Sequence, residues 1–323
     1  MRYFRIPLFI LVFFIIDAGL GLYLRPHFHA IAFPDFRDFY SRYIDSPASF
    51  DVVFFGDSRI LHGINTGYYS ELCDCNAGNL AVGGSTMVST YYLLRDYLAY
   101  STPRQVVLGV QWSRLGYQRE GYQNALLLEM LPERDQIDYA LAGADLNFIA
   151  EKLLYSYRYR QAFPRVDLYL QRIFGKQDSG TSTPTHMRTA DQFVPVKDVI
   201  DPETDIQLAT FQLLRPFDRA ADPTQLAYLE KTLLMLREKN IPVVMVQQPE
   251  LHEVQQWITH LDELNAVIVE IAETHNVTYI NLNDSSDPAL KEKEYFYDIM
   301  HLNAAGADLF TKKLWDRITA SAR

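Results

Sequence analysis

The stretch Asp51-Val-Val-Phe-Phe-Gly-Asp-Ser58 has the composition of a buried strand that ends in a small polar turn. Two valines and two phenylalanines suit a strand covered on both faces, and Gly56 allows a tight turn after it. The residues from Arg59 to Leu72 have helical spacing, which puts Ser58 at a strand-to-helix corner where free N–H groups favour negative charge. An α/β enzyme would place a nucleophilic serine there. On the tripeptide alone, however, Asp57 or Ser58 acting only as a helix cap is the more common role.

The same alternation of apolar strands and amphipathic helices continues along the chain. Strands are predicted at Asp51–Phe55, Asp74–Val82, Gln105–Val110, Ile241–Val246 and Val277–Leu282. Strands rich in valine and isoleucine that alternate with helices indicate a parallel sheet covered on both sides. The predicted fold class is therefore α/β, a flavodoxin-like three-layer α/β/α arrangement around a mostly parallel sheet of about five strands.

Small polar groups follow each predicted strand. They are Asp57-Ser58, Gly83-Gly84, Gln111, Gln247-Gln248 and Asn283-Asp284. Because functional sites in parallel α/β sheets lie at the carboxyl ends of the strands, these groups are expected to converge on one edge.

Composition excludes several classes of function. The 323 residues carry a net charge of −10 and no basic block, which argues against nucleic-acid binding. No phosphate-binding G-x-x-x-x-G-K-[ST] motif and no metalloprotease pair of histidines is present, so neither a metal nor another cofactor is predicted. Cys73 and Cys75, the only two cysteines, cannot form a zinc site alone, although they could oxidise outside the cytoplasm.

The N-terminus predicts a membrane anchor. Ile6 to Leu24 is almost wholly apolar and, at about 1.5 Å per residue, spans roughly 28 Å, close to the thickness of a bilayer core. Arg2 and Arg5 precede it, so the N-terminus is expected in the cytoplasm and the rest of the chain outside it, in the periplasm or extracellular space. A cleaved signal peptide is the alternative, but no small-x-small cleavage pattern follows Ile16.

One charged residue, Asp17, interrupts this span. A carboxylate there is costly unless it is paired or faces protein. Two explanations stay open at this point: contact with a partner membrane protein, or a position near the outer interface where the side chain reaches water.

The predicted organisation has three parts: an anchor at residues 1–25, a juxtamembrane connector at 26–49, and a domain at 50–323 with an insertion at about 115–222. The insertion carries a cluster of aromatic and basic residues: Tyr155, Tyr157, Arg158, Tyr159 and Arg160. This cluster is either a surface for a polymer or a helical cover that packs its tyrosines inward. A polar loop is predicted at Gly175–Thr185.

A second group with chemical potential, Tyr297-Asp-Ile-Met-His301, lies near the C-terminus. A nucleophilic serine needs a base, and the pKa of histidine suits that role near neutrality. The base in turn needs a partner that fixes its tautomer, and Asp298 lies three residues before His301. Alternatively, Asp298 caps the last helix and His301 is an ordinary residue of its first turn.

Together, Gly56-Asp57-Ser58 and Asp298-x-x-His301-Leu-Asn resemble the first and fifth sequence blocks of the SGNH (GDSL-type) hydrolase family. Gly83-Gly84 is similar to the block that supplies an oxyanion-hole glycine. The resemblance implies an acyl-ester enzyme with Ser58 as nucleophile, His301 as base and Asp298 as its orienting partner. It also implies an oxyanion hole formed by N–H groups of Ser58 and of Gly83 or Gly84.

The chain departs from this family at two positions. Gly109-Val-Gln-Trp112 stands where the family has Gly-x-Asn-Asp, so Gln111 is expected to replace the oxyanion-hole asparagine or to leave that role to backbone N–H groups. Arg59 follows the nucleophile where an apolar residue is common. Arg59 and Asp57 are therefore candidate substrate-binding residues, the alternative for Arg59 being a solvated arginine.

With its N-terminal anchor, the chain also resembles the alginate O-acetylation and teichoic-acid D-alanylation proteins. That resemblance implies transfer or hydrolysis of a small acyl group between an acyl donor and a glycan or polymer hydroxyl, with a multi-spanning membrane acyltransferase as partner. The alternative from another class is a non-catalytic assembly or glycan-binding subunit that keeps the fold.

Overall fold

The structure, a computed structural model, describes most of the chain: residues 5–32, 50–116, 127–129, 131–143, 146–160, 220–256, 258, 260–283 and 288–321. The chain divides into two compact units. Unit 1 contains residues 1–47 and 120–185, and unit 2 contains residues 48–119 and 186–323.

Unit 2 is built on a five-stranded parallel sheet. Its strands are β1 (Val52–Phe55), β2 (Ala77–Asn79), β3 (Gln105–Gly109), β4 (Val243–Gln247) and β5 (Thr278–Asn281). They lie in the order β2-β1-β3-β4-β5, and each neighbouring pair is parallel. The central strands are buried on both faces, as their valine-, leucine- and phenylalanine-rich sequences require. The predicted α/β fold class and the parallel sheet of five strands are confirmed.

The helices of unit 2 cover both faces of this sheet. In chain order they are α2 (Ser58–Gly63), α3 (Thr66–Cys73), α4 (Met87–Tyr100) and α5 (Trp112–Leu115), and, after the insertion, α9 (Pro223–Glu238), α10 (His252–Gln255), α11 (Leu261–His275) and α12 (Ala304–Ser321). Two short 3₁₀ segments, Pro288–Lys291 and Lys293–Tyr295, precede α12. Helix α12 packs on α2 and α3, whereas α9 packs on α4 and α11. Because right-handed crossovers place these two groups on opposite faces, the arrangement has three layers.

The helix predicted from Arg59 to Leu72 is two helices, because the chain turns at Ile64 and Asn65. The Asn65 side chain accepts a hydrogen bond from Tyr68 N and so caps α3. The backbone N–H of Asn65 donates to Thr311 Oγ1, and its side-chain amide nitrogen Nδ2 donates to Asp308 Oδ1. The break thus joins the α2–α3 corner to α12, a contact between residues far apart in sequence.

Strand β2 is shorter than the predicted Asp74–Val82. Its last residue, Asn79, is fully buried and donates from its side chain to the carbonyl oxygen of Ile60. The Asn79 side-chain oxygen accepts from Ala81 N, while Leu80 N and Val82 N still donate to Phe54 O and Gly56 O beside β1. The Asn79 side chain therefore ties the end of β2 to α2.

Two glycines permit close packing behind the α2 corner. A Cβ on Gly56 would lie 2.7 Å from Cγ1 of Ile60, and a Cβ on Gly109 would overlap the same atom. Ile60 is fully buried, so its side chain has no free space into which it could move. These glycines let the first turn of α2 sit directly on the ends of β1 and β3.

In the described residues of unit 1, four helices have both ends defined: α1 (Arg5–Ala32), α6 (Glu133–Gly143), α7 (Leu146–Leu153) and α8 (Tyr155–Arg158). Within the described residues, α1 is the one helix long and apolar enough to cross a membrane, by a criterion that a signal sequence also meets. The helix runs through the predicted boundary at residue 25. Residues 33–49 of the predicted connector and the predicted loop at 175–185 lie outside the described residues.

Asp17 has its partners within the chain. This arrangement differs from both explanations based on the sequence, which were contact with a partner membrane protein and a position near the outer interface. Its carboxylate accepts hydrogen bonds from the backbone N–H groups of Tyr155 and Ser156, at 2.6 and 3.1 Å, and from the Ser156 hydroxyl. These are the first residues of α8, so Asp17 acts as the cap of that helix. The aromatic and basic cluster predicted as a polymer surface or a helical cover lies on and just after α8, which packs on α1.

Cys73 and Cys75 form a disulfide at the end of α3. The backbone N–H of Cys75 also donates to Ser70 O, and Ser70 Oγ accepts from Ala77 N. The disulfide therefore closes the short turn between α3 and β2.

The close approach at Gly109 yields a stability prediction. Gly109→Ala should lower the free energy of unfolding by about 1–3 kcal/mol, because the added methyl overlaps Ile60 in a packed core. Urea denaturation of the full chain in detergent measures this loss. Combining it with Ile60→Ala, which removes the overlapping atoms, should cost less than the sum of the single changes. Strict additivity of the two losses would contradict the proposed overlap.

Candidate active site

The carboxyl edge of the sheet in unit 2 brings together three residues that the sequence singled out. Ser58 Oγ lies 2.7 Å from His301 Nε2. His301 Nδ1 lies 2.8 and 3.0 Å from the two carboxylate oxygens of Asp298. The three side chains thus form one continuous chain of hydrogen bonds.

Ser58 owes its position to the tight end of β1. After Phe55 the chain passes through Gly56, and Asp57 caps α2 by accepting a hydrogen bond from Arg59 N at 3.0 Å. Ser58 is the first residue of α2, and its half-buried side chain is directed towards His301. The serine is both a helix N-terminal residue and a partner of the histidine, so the capping role predicted as the alternative belongs to Asp57.

His301 and Asp298 are held by a closed loop ahead of α12. The backbone N–H groups of Met300 and His301 donate to Asp298 Oδ1 at 2.7 and 2.8 Å. At the base of the loop, Tyr297 N donates to His301 O, and Asn303 ties the loop to Glu294 through its side chain. Asp298 therefore organises the loop and contacts the imidazole at once.

The surroundings of Asp298 fix its charge. Burial raises the pKa of this carboxyl, but the hydrogen bond and charge of His301 and the two backbone N–H groups outweigh burial and hold the pKa below its ordinary value. An ionised carboxylate only accepts, so His301 Nδ1 must carry the proton. Nε2 is then the acceptor for the Ser58 hydroxyl, which is the tautomer that a general base requires.

Two aromatic rings to which the sequence assigns no role pack on the imidazole. The ring of Tyr297 is stacked on His301 with a centroid distance of 5.5 Å, and His62 meets His301 edge-on at 5.4 Å. Burial, followed by the nearby charge of Asp298, raises the pKa of Tyr297. The only sequence signal for Tyr297 is its place directly before Asp298, and His62 has none.

Behind Ser58 lies a pair of opposite charges. The Asp57 carboxylate accepts from Arg114 Nε at 2.9 Å, and the two side chains are 2 and 14 % exposed. Burial by itself would raise the pKa of the Asp57 carboxyl. The charges of Arg114 and then of Arg59 lower that pKa by more than burial raises it, so the net pKa is below its ordinary value.

Arg59 is buried rather than solvated, which rules out the simpler explanation offered by the sequence. The side chain is 2 % exposed, and Nη1 lies 3.2 Å from Oε1 of Glu250 and 3.4 Å from the side-chain oxygen Oε1 of Gln111. Trp112 Nε1 also donates to Glu250. Burial raises the pKa of Glu250 even though Arg59 opposes it. The structure thus gives Arg59 and Asp57 partners inside the protein, and their substrate-binding role stays a prediction.

Of the predicted oxyanion-hole residues, Gly83 lies beside Ser58. A Cβ on Gly83 would lie 3.8 Å from the Cβ of Ser58, so this backbone passes close to the nucleophile. Gly84 has a φ of +73°, a conformation that suits glycine. Gln111 follows β3 at the same edge, because β1 and β3 run in register from Val52–Gln105 to Phe55–Leu108.

Gln111 is oriented by Arg59. Its side-chain oxygen accepts from Arg59, and the residue is 1 % exposed. The amide nitrogen Nε2 is buried and has no hydrogen-bond partner among the described residues. A buried donor without a partner is uncommon in folded proteins, and the part of Gln111 in an oxyanion hole stays a prediction.

Of the remaining strand-end groups, Gln247 and Asn283 have side-chain partners, whereas the buried side-chain amide of Gln248 has none among the described residues. Gln247 accepts from the Tyr279 hydroxyl, and Asn283 accepts from Glu250 N and from the Gln255 side chain. Asp284 lies outside the described residues. No group of three metal-ligating side chains occurs within the described part of the chain.

No family model matches this chain, and no curated protein matches it either. Among solved structures, it is similar to the acetyl xylan esterase AlAXEase, with 13% identity and a TM-score of 0.40 over 83% of this chain and 98% of that one. A catalytic mutant of the acetylxylan esterase Axe2 from Geobacillus stearothermophilus has 11% identity and a TM-score of 0.41 over 84% and 94% of the two chains. A GDSL-like lipase from Bacteroides thetaiotaomicron has 11% identity and a TM-score of 0.38 over 88% and 100%.

The Asp57–Arg114 pair yields a pH-dependent stability prediction. Because the folded-state pKa of Asp57 is lowered, its stabilisation is present above the unfolded-state pKa and is lost as pH falls through the folded pKa. Arg114→Met should therefore cost about 3 kcal/mol of unfolding free energy near neutrality, and the loss should shrink in acid. Urea denaturation at a series of pH values measures the difference.

The exposed pair Arg104–Asp51 provides the matched control, since its side chains are 82 and 30 % exposed. Arg104→Met should cost less than about 1 kcal/mol. An Arg114→Met loss that equals this control, or that does not change with pH, would contradict the role given to the buried pair.

Proposed function

We propose that the protein is an SGNH-type serine acyl-ester enzyme that carries an acyl group on Ser58. The observation that supports this proposal is the chain of hydrogen bonds from Ser58 through His301 to an ionised Asp298. Such a chain activates a hydroxyl that is otherwise a weak nucleophile.

In the first step, Ser58 Oγ attacks the carbonyl carbon of an ester while His301 Nε2 takes the hydroxyl proton. Asp298 keeps the proton on Nδ1 and stabilises the imidazolium that forms. The resulting tetrahedral intermediate collapses when His301 returns its proton to the leaving alcohol. The products are this alcohol and an acyl ester on Ser58.

The negative charge on the tetrahedral intermediate needs donors in fixed positions. The backbone N–H groups of Ser58 and of Gly83 or Gly84 are the candidates on the sheet edge. Gln111 Nε2 is the third, and the hydrogen bond from Arg59 to the Gln111 oxygen orients the amide for that task. In this proposal, glutamine replaces the family's asparagine, and Arg59 acts as a positioning residue rather than a substrate ligand.

In the second step, His301 removes a proton from an incoming hydroxyl, which attacks the acyl-serine and restores Ser58. Water as acceptor makes the protein an esterase, and a sugar hydroxyl makes it an O-acyltransferase. We favour a small, acetyl-like acyl group and a cell-surface glycan or polymer, because α1 is suited to tether the chain to a membrane. The Cys73–Cys75 disulfide supports an extracytoplasmic location, since disulfides persist in oxidising compartments.

Trapping the acyl-enzyme tests the proposal. Full-length protein incubated with an activated acetyl ester should gain one acetyl group on Ser58, visible by mass spectrometry. Ser58→Ala should gain none, and Asp298→Asn should react about 10⁴-fold more slowly because the imidazole tautomer is lost. Absence of any adduct on the wild type would instead favour the non-catalytic assembly or glycan-binding subunit.

The role of Gln111 has its own test. Gln111→Met keeps the side-chain length but removes the donor, so kcat for ester turnover should fall about 100-fold with little change in KM. Gln247→Met is the control, because Gln247 is also buried but its side-chain oxygen accepts from the Tyr279 hydroxyl rather than from Arg59. Equal kcat values for the two variants would exclude Gln111 from the oxyanion hole.

A further inference from the structure

Five large apolar side chains of unit 1 are exposed on α6 and α7. They are Ile137, Leu141, Leu146, Ile149 and Leu153, with exposed fractions from 40 to 78 %. Their spacing along each helix is three or four residues, so they form one apolar face on α6 and one on α7. On the inner sides, Tyr139 and Phe148 are buried, and their ring centroids are 4.8 Å apart.

The contact with α1 fixes the depth of the segment that follows α7. Asp17 is bonded to the N–H groups of Tyr155 and Ser156 and lies near the midpoint of the apolar span Ile6–Pro26. At about 1.5 Å per residue, it is roughly 14 Å along the helix from Pro26. If α1 spans a bilayer, the start of α8 therefore lies within the hydrocarbon.

The buried face of α1 supports this placement. Asp17, Gly21 and Leu24 are the buried residues of its span, and they share one side of the helix. A Cβ on Gly21 would overlap the ring of Tyr155, so the glycine lets α8 approach closely. Leu153 lies two residues before Tyr155, within about 7 Å of it, and is 65 % exposed. Leu153 consequently faces lipid if Tyr155 is at mid-depth.

Several charged side chains near this contact are paired within unit 1, which lowers the cost of placing them in a low-dielectric environment. Arg158 donates to the carbonyl oxygens of Glu151 and Lys152 in the last turn of α7. Arg160 pairs with Glu151, and Lys152 Nζ donates to the Gln136 side chain at 2.8 Å.

We propose that α6 and α7 are embedded in the lipid bilayer beside α1, with their exposed apolar faces against the acyl chains. The leaflet is the one at the C-terminal end of α1, because α8 packs on that half of the helix. The insertion is then part of the membrane anchor, and the chain is held by three helices rather than one. This inference rests on the proposed anchoring by α1 but not on the proposed chemistry.

Site-directed spin labelling of the full chain in liposomes of phosphatidylcholine and phosphatidylglycerol tests the proposal. Single substitutions Ile149→Cys and Leu153→Cys report on the proposed face, Ile10→Cys reports on α1, and Arg134→Cys is an exposed polar control on α6. Power saturation compares collisions with oxygen, which concentrates in the bilayer, and with a water-soluble nickel chelate. Labels at 149 and 153 should match the label at 10 and differ from the label at 134.

The outcomes separate the two proposals. A lipid-exposed label at 10 with water-exposed labels at 149 and 153 would overturn the embedding of α6 and α7 and leave the anchor intact. A water-exposed label at 10 would overturn the anchor itself. Pure lipid contains no partner protein, so a face made for protein contact would be found in water.

Hydroxyl-radical footprinting of the unsubstituted protein in the same liposomes gives a readout that no substitution can disturb. The side chains at Leu141 and Leu146 should be oxidised at least about tenfold more slowly than Val269, an exposed apolar residue of α11 in unit 2. Oxidation at the rate of Val269 would contradict the embedding.

Discussion

The hydrogen bond between Ser58 and His301 is the interaction on which the proposed chemistry depends. It joins residues 243 positions apart in sequence, at 2.7 Å. Each partner is placed by backbone geometry: the serine by the tight turn after β1, and the histidine by the loop that Asp298 closes through two backbone N–H groups. Asp298 closes this loop and also fixes the imidazole tautomer. The same residue therefore contributes to the local fold and to the activation of Ser58.

A second layer of charges supports the corner from behind. Asp57 caps α2 and pairs with Arg114, while Arg59 pairs with Glu250 and holds the oxygen of Gln111. Buried charges are costly unless they are paired and hydrogen-bonded. These pairs lie next to the nucleophile, where they hold the first turn of α2 and the Gln111 amide in fixed positions.

The sequence was sufficient for features set by local pattern. The parallel sheet follows from the apolar strands, and the three-residue spacing of Asp298 and His301 already predicts their contact. The sequence pattern did not predict partners that lie far apart along the chain. Arg59 looks solvated until Glu250 is brought against it, and Asp17 looks unpaired until the N-terminus of α8 reaches it. The break at Asn65 depends on Thr311 and Asp308, which carry no signal near the helix itself. Nor does the spacing of His62 indicate its contact with His301.

The central claim is that His301 activates Ser58. Labelling of the full-length protein with a fluorophosphonate, followed by peptide mapping, tests it most directly, because this reagent reacts with activated serines. The account predicts a single adduct on Ser58 in the wild type, and loss of that adduct in His301→Ala although Ser58 is still present. Labelling of Ser58 at an unchanged rate in His301→Ala, or an adduct on another serine, would contradict it.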